Sequence, residues 1–384
     1  MFEPFPRNYV WNLSANLALC MGASIGEIDS ANRQVLDAAQ QGDDAGTEAF
    51  FKSWCALADR LVALAEEDVT AGRARSASQK FRRACVYYMT AERMQSRHYE
   101  PRKAAYAKVL ATMNRAVETG RLNCERVEIR YGSEAFPGLF VAGEGRGPRP
   151  CMVFCNGLDS IKEMIFWSDI GEELARRGIS TLMIDHPGVG EALRLRKLCA
   201  IVESERWAGA AVDYLETRTD VRADRIGMMG WSLGGYYAPR AAAFEKRLRL
   251  CVAWGANHNW GELQRLRLAR EGDRPVPHYW DHVMWVWGKS SLEEFMAFAP
   301  RVTLQGVAEQ ITVPFLITHG EGDRQIPLRY ALECHAAATN SPKRELRVFG
   351  TREGGVEHCS ADNMEPARSY IADWIAATFA ELDG

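Results

Sequence analysis

No apolar run in the 384-residue chain approaches the roughly 20 residues that a membrane-spanning helix requires, so no membrane partner is expected. Charge of one sign is not in excess either. Against 47 Lys and Arg stand 50 Asp and Glu, a formal net charge of −3, which gives no electrostatic reason to expect nucleic acid as a partner. A small-molecule substrate fits better. The opening Met1-Phe2-Glu3-Pro4 lacks the basic-then-apolar order of a signal peptide, and the ten cysteines lack the close pairing of a zinc ribbon or a small disulfide scaffold. A cytoplasmic chain with reduced thiols is the expectation. Repeats and low-complexity tracts are missing. No His, Cys, Asp and Glu spacing makes a closed metal site, and His278 and His282 lack the glutamate of a zincin helix. Neither a metal nor a cofactor is expected.

What is present is ordinary for a soluble globular protein: 47% hydrophobic and 25% charged residues, enough for a sizeable core. Between about Leu13 and Thr119 apolar residues recur at three- and four-residue spacing, as in Phe50, Phe51, Trp54, Leu57 and Leu61. Residues 1–125 are therefore expected to form a helical N-terminal region that contributes to a lid. Arg126–Tyr131 then alternates like a half-buried strand, with Gly132 and Pro137-Gly138 punctuating a turn. Further strand candidates are Pro150–Cys155, Ser180–Asp185, Arg225–Gly230, Leu248–Trp254, Val313–His319 and Glu345–Phe349, separated by helical stretches. This alternation predicts an α/β fold with a mostly parallel, doubly wound sheet over residues 126–384, and the continuously apolar strands predict helices on both faces. A tryptophan-rich interruption at about residues 257–310 reads as a helical cap insertion.

The chemistry centres on Gly230-Trp231-Ser232-Leu233-Gly234-Gly235, which follows an apolar strand and opens a helical stretch. In that strand-to-helix context the pattern predicts a nucleophile elbow, its flanking glycines relieving a turn too tight for larger side chains. Ser232 is the candidate nucleophile, and the amide of Leu233 at the helix start is the first candidate oxyanion donor. A serine hydroxyl needs a base, and the base a carboxylate. Asp323 lies in the polar loop after the strand beginning at Val313, with Glu321 as the alternative acid. His358 follows the last strand candidate and Gly354-Gly355, so serine, acid and histidine come in the order that the elbow demands.

The other seven histidines fit the base less well. His319 at a strand end is expected to satisfy backbone groups near Asp323, and His335 falls in a helical run. His98 and His186 lie far upstream, while His258, His278 and His282 lie in the cap. The second oxyanion donor is expected from the loop after Cys155, Leu158 first and Asp159 second, with Gly157 allowing the turn. Candidate substrate contacts are Trp231 and Asp159 beside the nucleophile and His258, Tyr279 and Trp285 in the cap, although such aromatics also serve to pack a cap onto a core. Asp185-His186-Pro187-Gly188-Val189-Gly190-Glu191 has the wrong spacing for a nucleotide loop and reads as a structural turn near the site.

These motifs, with Asn156-Gly157-Leu158-Asp159-Ser160-Ile161-Lys162-Glu163, Cys251-Val252-Ala253-Trp254-Gly255 and Val356-Glu357-His358-Cys359, resemble one α/β-hydrolase subfamily. It is that of 2,6-dihydroxypseudooxynicotine hydrolase and fungal polyketide-shortening pigment hydrolases, related more distantly to the fermentation-respiration switch protein. The likeness covers residues 126–384 well and the N-terminal helices more loosely, through Phe5-Pro6-Arg7-Asn8-Tyr9-Val10-Trp11. It implies a triad of Ser232, Asp323 and His358, cleavage of a carbon-carbon bond next to a ketone in an aromatic or polyketide-like β-diketone, and a homodimer. It also implies an assisting glutamate after the Trp254 strand, for which Glu262 is the nearest candidate. The same triad would equally serve an esterase, lactonase or thioesterase; a non-catalytic protein on this scaffold is the reading from a different class.

Overall fold

A computed structural model describes residues 1–270 and 274–383, which divide into two compact units, each with its own core. One comprises residues 1–124 with 274–282. Its long helices are Thr47–Thr70, Ala74–Arg93 and Pro101–Gly120, preceded by Tyr9–Cys20 and Ile25–Asn32. The apolar stripe of Thr47–Thr70 buries Phe50, Trp54, Leu57, Leu61 and Ala65, the three- and four-residue period of a helix with one covered face. Phe50 stacks on Trp54 at 4.7 Å between ring centroids and meets Trp11 edge-on at 5.1 Å. Burying rings of this size contributes about 1.5–3 kcal/mol each, which lets the helices stand as a unit. The segment 274–282 is fastened to it by polar contacts: Arg93 Nη2 donates to Pro275 O, the His278 amide donates to Asp44, and Ser96 Oγ donates to Asp281.

The other unit is built on an eight-stranded sheet. Its strands are β1 (Glu125–Tyr131), β2 (Glu134–Val141), β3 (Arg149–Cys155), β4 (Ser180–Ile184), β5 (Val221–Trp231), β6 (Leu248–Trp254), β7 (Phe315–Gly320) and β8 (Arg344–Phe349), in the spatial order β1-β2-β4-β3-β5-β6-β7-β8. From β4 to β8 every neighbour is parallel; β1 and β2 join antiparallel at one edge. β4 and β7 are buried at every position, as strands covered on both faces must be, while β1 buries only Val127 and Ile129 and alternates like an edge. This order and connectivity are those of an α/β-hydrolase fold.

One expectation fails. Pro137 and Gly138 do not form the turn after β1; they sit inside β2, opposite Glu128 and Val127, and the reversal occurs at Gly132, whose φ is +60°. Pro137 keeps its place because its carbonyl accepts from the Asp185 amide and proline lacks only the donor. Gly138 suits a tight spot, since a Cβ there would press to 3.1–3.2 Å on Leu182, Met183 and Val127. After β6 the helices Trp260–Leu268, Tyr279–Val286 and Leu292–Phe298 interrupt the sheet order. Among the described residues no helix is long and apolar enough to cross a membrane.

Candidate active site

β5 runs straight into Ser232, which takes φ +55°, and the helix Gly234–Phe244 begins two residues later. A serine in the left-handed region stores roughly 1–3 kcal/mol of strain, so the surrounding backbone has to hold it. The Ser232 amide donates to Trp254 O at 3.0 Å and its carbonyl accepts from Gly235 at 2.9 Å. The turn closes because a Cβ on Gly230 would lie 2.5 Å from Gly234 O, and one on Gly235 2.0 Å from Gly255 O. Leu233 stands at the helix N-terminus, where the first amides have no carbonyl within the helix.

Two further loops meet this turn. Asp323, in the loop after β7, accepts the amides of Gln325 and Ile326 on Oδ1 at 2.7 and 2.9 Å. His358, in the loop after β8, brings Nδ1 to 2.9 Å from Asp323 Oδ2 and Nε2 to 2.9 Å from Ser232 Oγ. A carboxylate has no proton to give, so the imidazole proton sits on Nδ1 and the Nε2 lone pair faces the serine hydroxyl. The His358 loop is in turn gathered by Asp362, which accepts the amides of Gly355, Val356 and Glu357. Burial disfavours charge on both partners, but each overrides it for the other: Asp323 holds His358 well above the ordinary histidine value, and His358 holds Asp323 below the ordinary carboxylate value.

The competing groups are engaged elsewhere. Glu321 accepts the Thr351 amide. His319 Nε2 donates to Ile326 O at 2.9 Å, and burial pushes its pKa down. Leu158 is buried and Asp159 half-buried in the loop after β3. Trp231 directs its indole N–H at Ser160 Oγ, 2.9 Å away. His258 is buried after β6, its Nδ1 meeting no partner among the described residues, and burial pushes its pKa down. Glu262 accepts from Tyr330 Oη at 2.8 Å and Arg329 at 2.9 Å, in an open cleft of about 650 Å³ to which neither Ser232 nor His358 contributes. Trp285 is half-buried under the Arg194 guanidinium, and Tyr279 belongs with the helical unit.

Sequence reasoning missed three participants. Asp362 organises the His358 loop, and Ser160 Oγ bridges the Gly157 amide and Trp231, each at 2.9 Å. The third is a buried ionic cluster in which Lys162 Nζ reaches Glu163 at 2.7 Å, Asp185 at 3.0 Å and Glu191 at 2.5 Å. A signal for the cluster was present, since charged residues embedded in apolar stretches beside strand ends need partners.

The profile described as Esterase FrsA-like matches residues 54–266. The chain belongs to this family. A second profile, of the prolyl oligopeptidase family, matches residues 208–379. The chain is 27% identical to 2,6-dihydropseudooxynicotine hydrolase of Paenarthrobacter nicotinovorans, over 89% of this chain and 90% of that one. It is also 27% identical to 20-hydroxy-prefusarin hydrolase of Gibberella moniliformis, over 94% and 93% of the two chains. The crystal structure of 2,6-dihydroxy-pseudo-oxynicotine hydrolase superposes with a TM-score of 0.78 at 25% identity, covering 95% of each chain. This member of the FrsA-like family is a hydrolase by fold and by kinship.

Proposed function

We propose that the chain is a serine hydrolase that cleaves a carbon-carbon bond next to a ketone in an aromatic or polyketide-like β-diketone. The observation that carries the chemistry is the 2.9 Å approach of His358 Nε2 to Ser232 Oγ, with Asp323 on the opposite ring nitrogen. Ser232 attacks the carbonyl carbon while its proton passes to Nε2. The imidazolium formed is stabilised by Asp323, and the amides of Leu233 and Leu158 take the oxyanion. Collapse breaks the carbon-carbon bond, the departing enolate carbon or phenol-stabilised carbanion takes the proton from His358, and Ser232 keeps the acyl group. Water, deprotonated by His358, then releases the acid. The substrate class rests on the subfamily resemblance and on relatives that are named hydrolases of a pseudooxynicotine and a prefusarin.

Ester hydrolysis is the second reading, favoured by the esterase description of the family. Aryl esters and aromatic β-diketones offered side by side separate the two, and efficient ester turnover with inert diketones would assign an esterase. Replacing Ser232 by Ala is expected to remove fluorophosphonate labelling and to lower kcat on the order of 10⁴- to 10⁶-fold. Labelling that survives the substitution, or its absence from the wild type, would reject the serine route.

A further inference from the structure

The stretches Asn156–Glu163 and Asp185–Glu191 carry five ionisable side chains that take no step in the chemistry above, apart from Asp159 as an alternative donor position. They leave the sheet side by side, since Cys155 at the end of β3 pairs with Ile184 at the end of β4. Asp185 Oδ1 then accepts the Lys162 amide at 2.8 Å and the Asn156 side-chain amide at 3.5 Å, while Oδ2 accepts the Glu191 amide at 2.9 Å and Lys162 Nζ at 3.0 Å. The carboxylate thus grips the Lys162 end of the loop 157–161 and flanks its other end, where Asn156 Nδ2 donates to Ile184 O at 2.9 Å. It is approached so closely that a Cβ on Gly190, where φ is +49°, would lie within 2.1 Å of its atoms.

The grip is itself held. Lys162 is fully buried, and its three ammonium protons meet three carboxylates, those of Asp185, Glu163 and Glu191. Inside the clamped loop, the Gly157 amide donates to Ser160 Oγ, which also accepts from Trp231, the residue before the nucleophile. Gly157 packs against Ser232 so tightly that a Cβ would sit 2.9 Å from the serine Cβ. We propose that Asp185, held by Lys162 and Glu191, is a positioning residue that fixes the loop 157–161 against Ser232 and so sets the oxyanion site. The proposal rests on the serine-hydrolase reading above. Glu163 Oε2 and Asn156 Oδ1 meet no partner among the described residues, but a network tied through every proton of its central cation is stiff, and stiffness is what a preorganised donor needs.

The test is steady-state kinetics of Asp185→Asn with its Tm and its affinity for an aryl trifluoromethyl ketone, whose serine adduct places an oxyanion in the site. Expected is a fall in kcat of about 10²-fold, typical of a misplaced oxyanion donor. KM stays within about threefold, and ketone affinity weakens in step with kcat/KM. A folded Asp185→Asn enzyme with unchanged kcat and ketone affinity overturns the proposal, as does a loss confined to Tm. Should Asp185→Asn fail to fold, Glu191→Gln decides, because it withdraws one carboxylate from Lys162 and leaves Asp185 in place. A smaller loss with the same kcat-against-KM split is expected there, and unchanged kinetics overturn the proposal. A wild type inert to both substrate classes and to fluorophosphonate would overturn the hydrolase reading and this one with it, whereas an active wild type beside an unaffected variant overturns only this one.

Discussion

Around Lys162 every ammonium proton meets a protein carboxylate; around His358 one ring nitrogen is satisfied by Asp323 and the other faces a half-buried serine hydroxyl. Both constellations are buried charge at the carboxyl edge of one sheet, yet one is closed and the other open-ended. Their backbones differ in the same sense. Near Lys162 the left-handed conformations fall on Gly188 and Gly190, where they cost no Cβ clash, whereas the triad loops, besides Gly354 and Gly355, also place Ser232, Cys359 and Ser360 there. A cation whose protons all find carboxylates within the protein maintains shape. One that stops at a hydroxyl can pass its polarisation to a reacting carbonyl. Substitutions on the open side should therefore cost rate with little stability, and those on the closed side stability together with the rate that the oxyanion loop supports.

The largest effect is expected on the open side. Asp323→Asn leaves the side chain's shape but removes the charge that orients and supports His358, and kcat should fall about 10⁴-fold. The pH dependence follows from the shifts. Because the Asp323 charge raises His358 despite burial, the acidic limb of kcat/KM in the wild type should lie above the ordinary histidine range. In Asp323→Asn the larger support for the charged imidazole is gone and Cys359 alone opposes burial, so the limb should move down. Profiles of kcat/KM against pH check both statements, and a limb that does not move would remove this pair from the mechanism.

On the closed side stability should suffer along with rate. Lys162→Met strands Asp185 and Glu163 without their cation and leaves Glu191 to Arg126 alone, and breaking a buried ion pair from one side costs about 3–5 kcal/mol. Burial works to raise Glu191, but Lys162 and Arg126 outweigh it and bring the carboxyl from 4.5 down to about 2. A depressed carboxyl contributes stability above its unfolded value and loses it as pH falls through the folded one. The gap between wild type and Lys162→Met should therefore be widest above about pH 4.5 and narrow below it. Urea titrations at both ends would show this, and a gap independent of pH would mean that packing, not charge, holds the cluster.

The open side was far more legible in the sequence than the closed one, for a physical reason. Ser232, Asp323 and His358 each occupy a loop whose setting reads locally, as a strand followed by a turn and a helix, and their order along the chain is that of the α/β-hydrolase fold. Lys162 and Asp185 carry no such order. Their pairing depends on β3 and β4 lying side by side, a register that hydrophobic patterning does not encode, so Asp185–Glu191 read as a turn without a partner. Pro137-Gly138 misled for the opposite reason: both residues signal turns locally, and only the close approach of β1 and β4 gives a glycine its place inside a strand. Glu262 illustrates the limit of transfer by likeness, since Arg329 and Tyr330 hold it in a separate cleft.

The smallest expected effect lies at the rim of the closed cluster and sharpens the comparison most finely. Arg126 reaches Glu191 with Nη1 at 2.5 Å and Nη2 at 3.0 Å, so by contact distance it rivals Lys162. It differs in exposure: 41% of its side-chain surface is open to solvent, against none for Lys162. Water and salt screen the Arg126 charge, and an exposed pair contributes about 1 kcal/mol or less. Arg126→Met also leaves Lys162 in place to compensate Glu191, so no carboxylate is stranded. Its Tm should fall slightly, the fall should shrink with added salt, and kcat should stay at the wild-type value. A loss as large as that of Lys162→Met would show that the cluster depends on the number of its cations rather than on the burial of one.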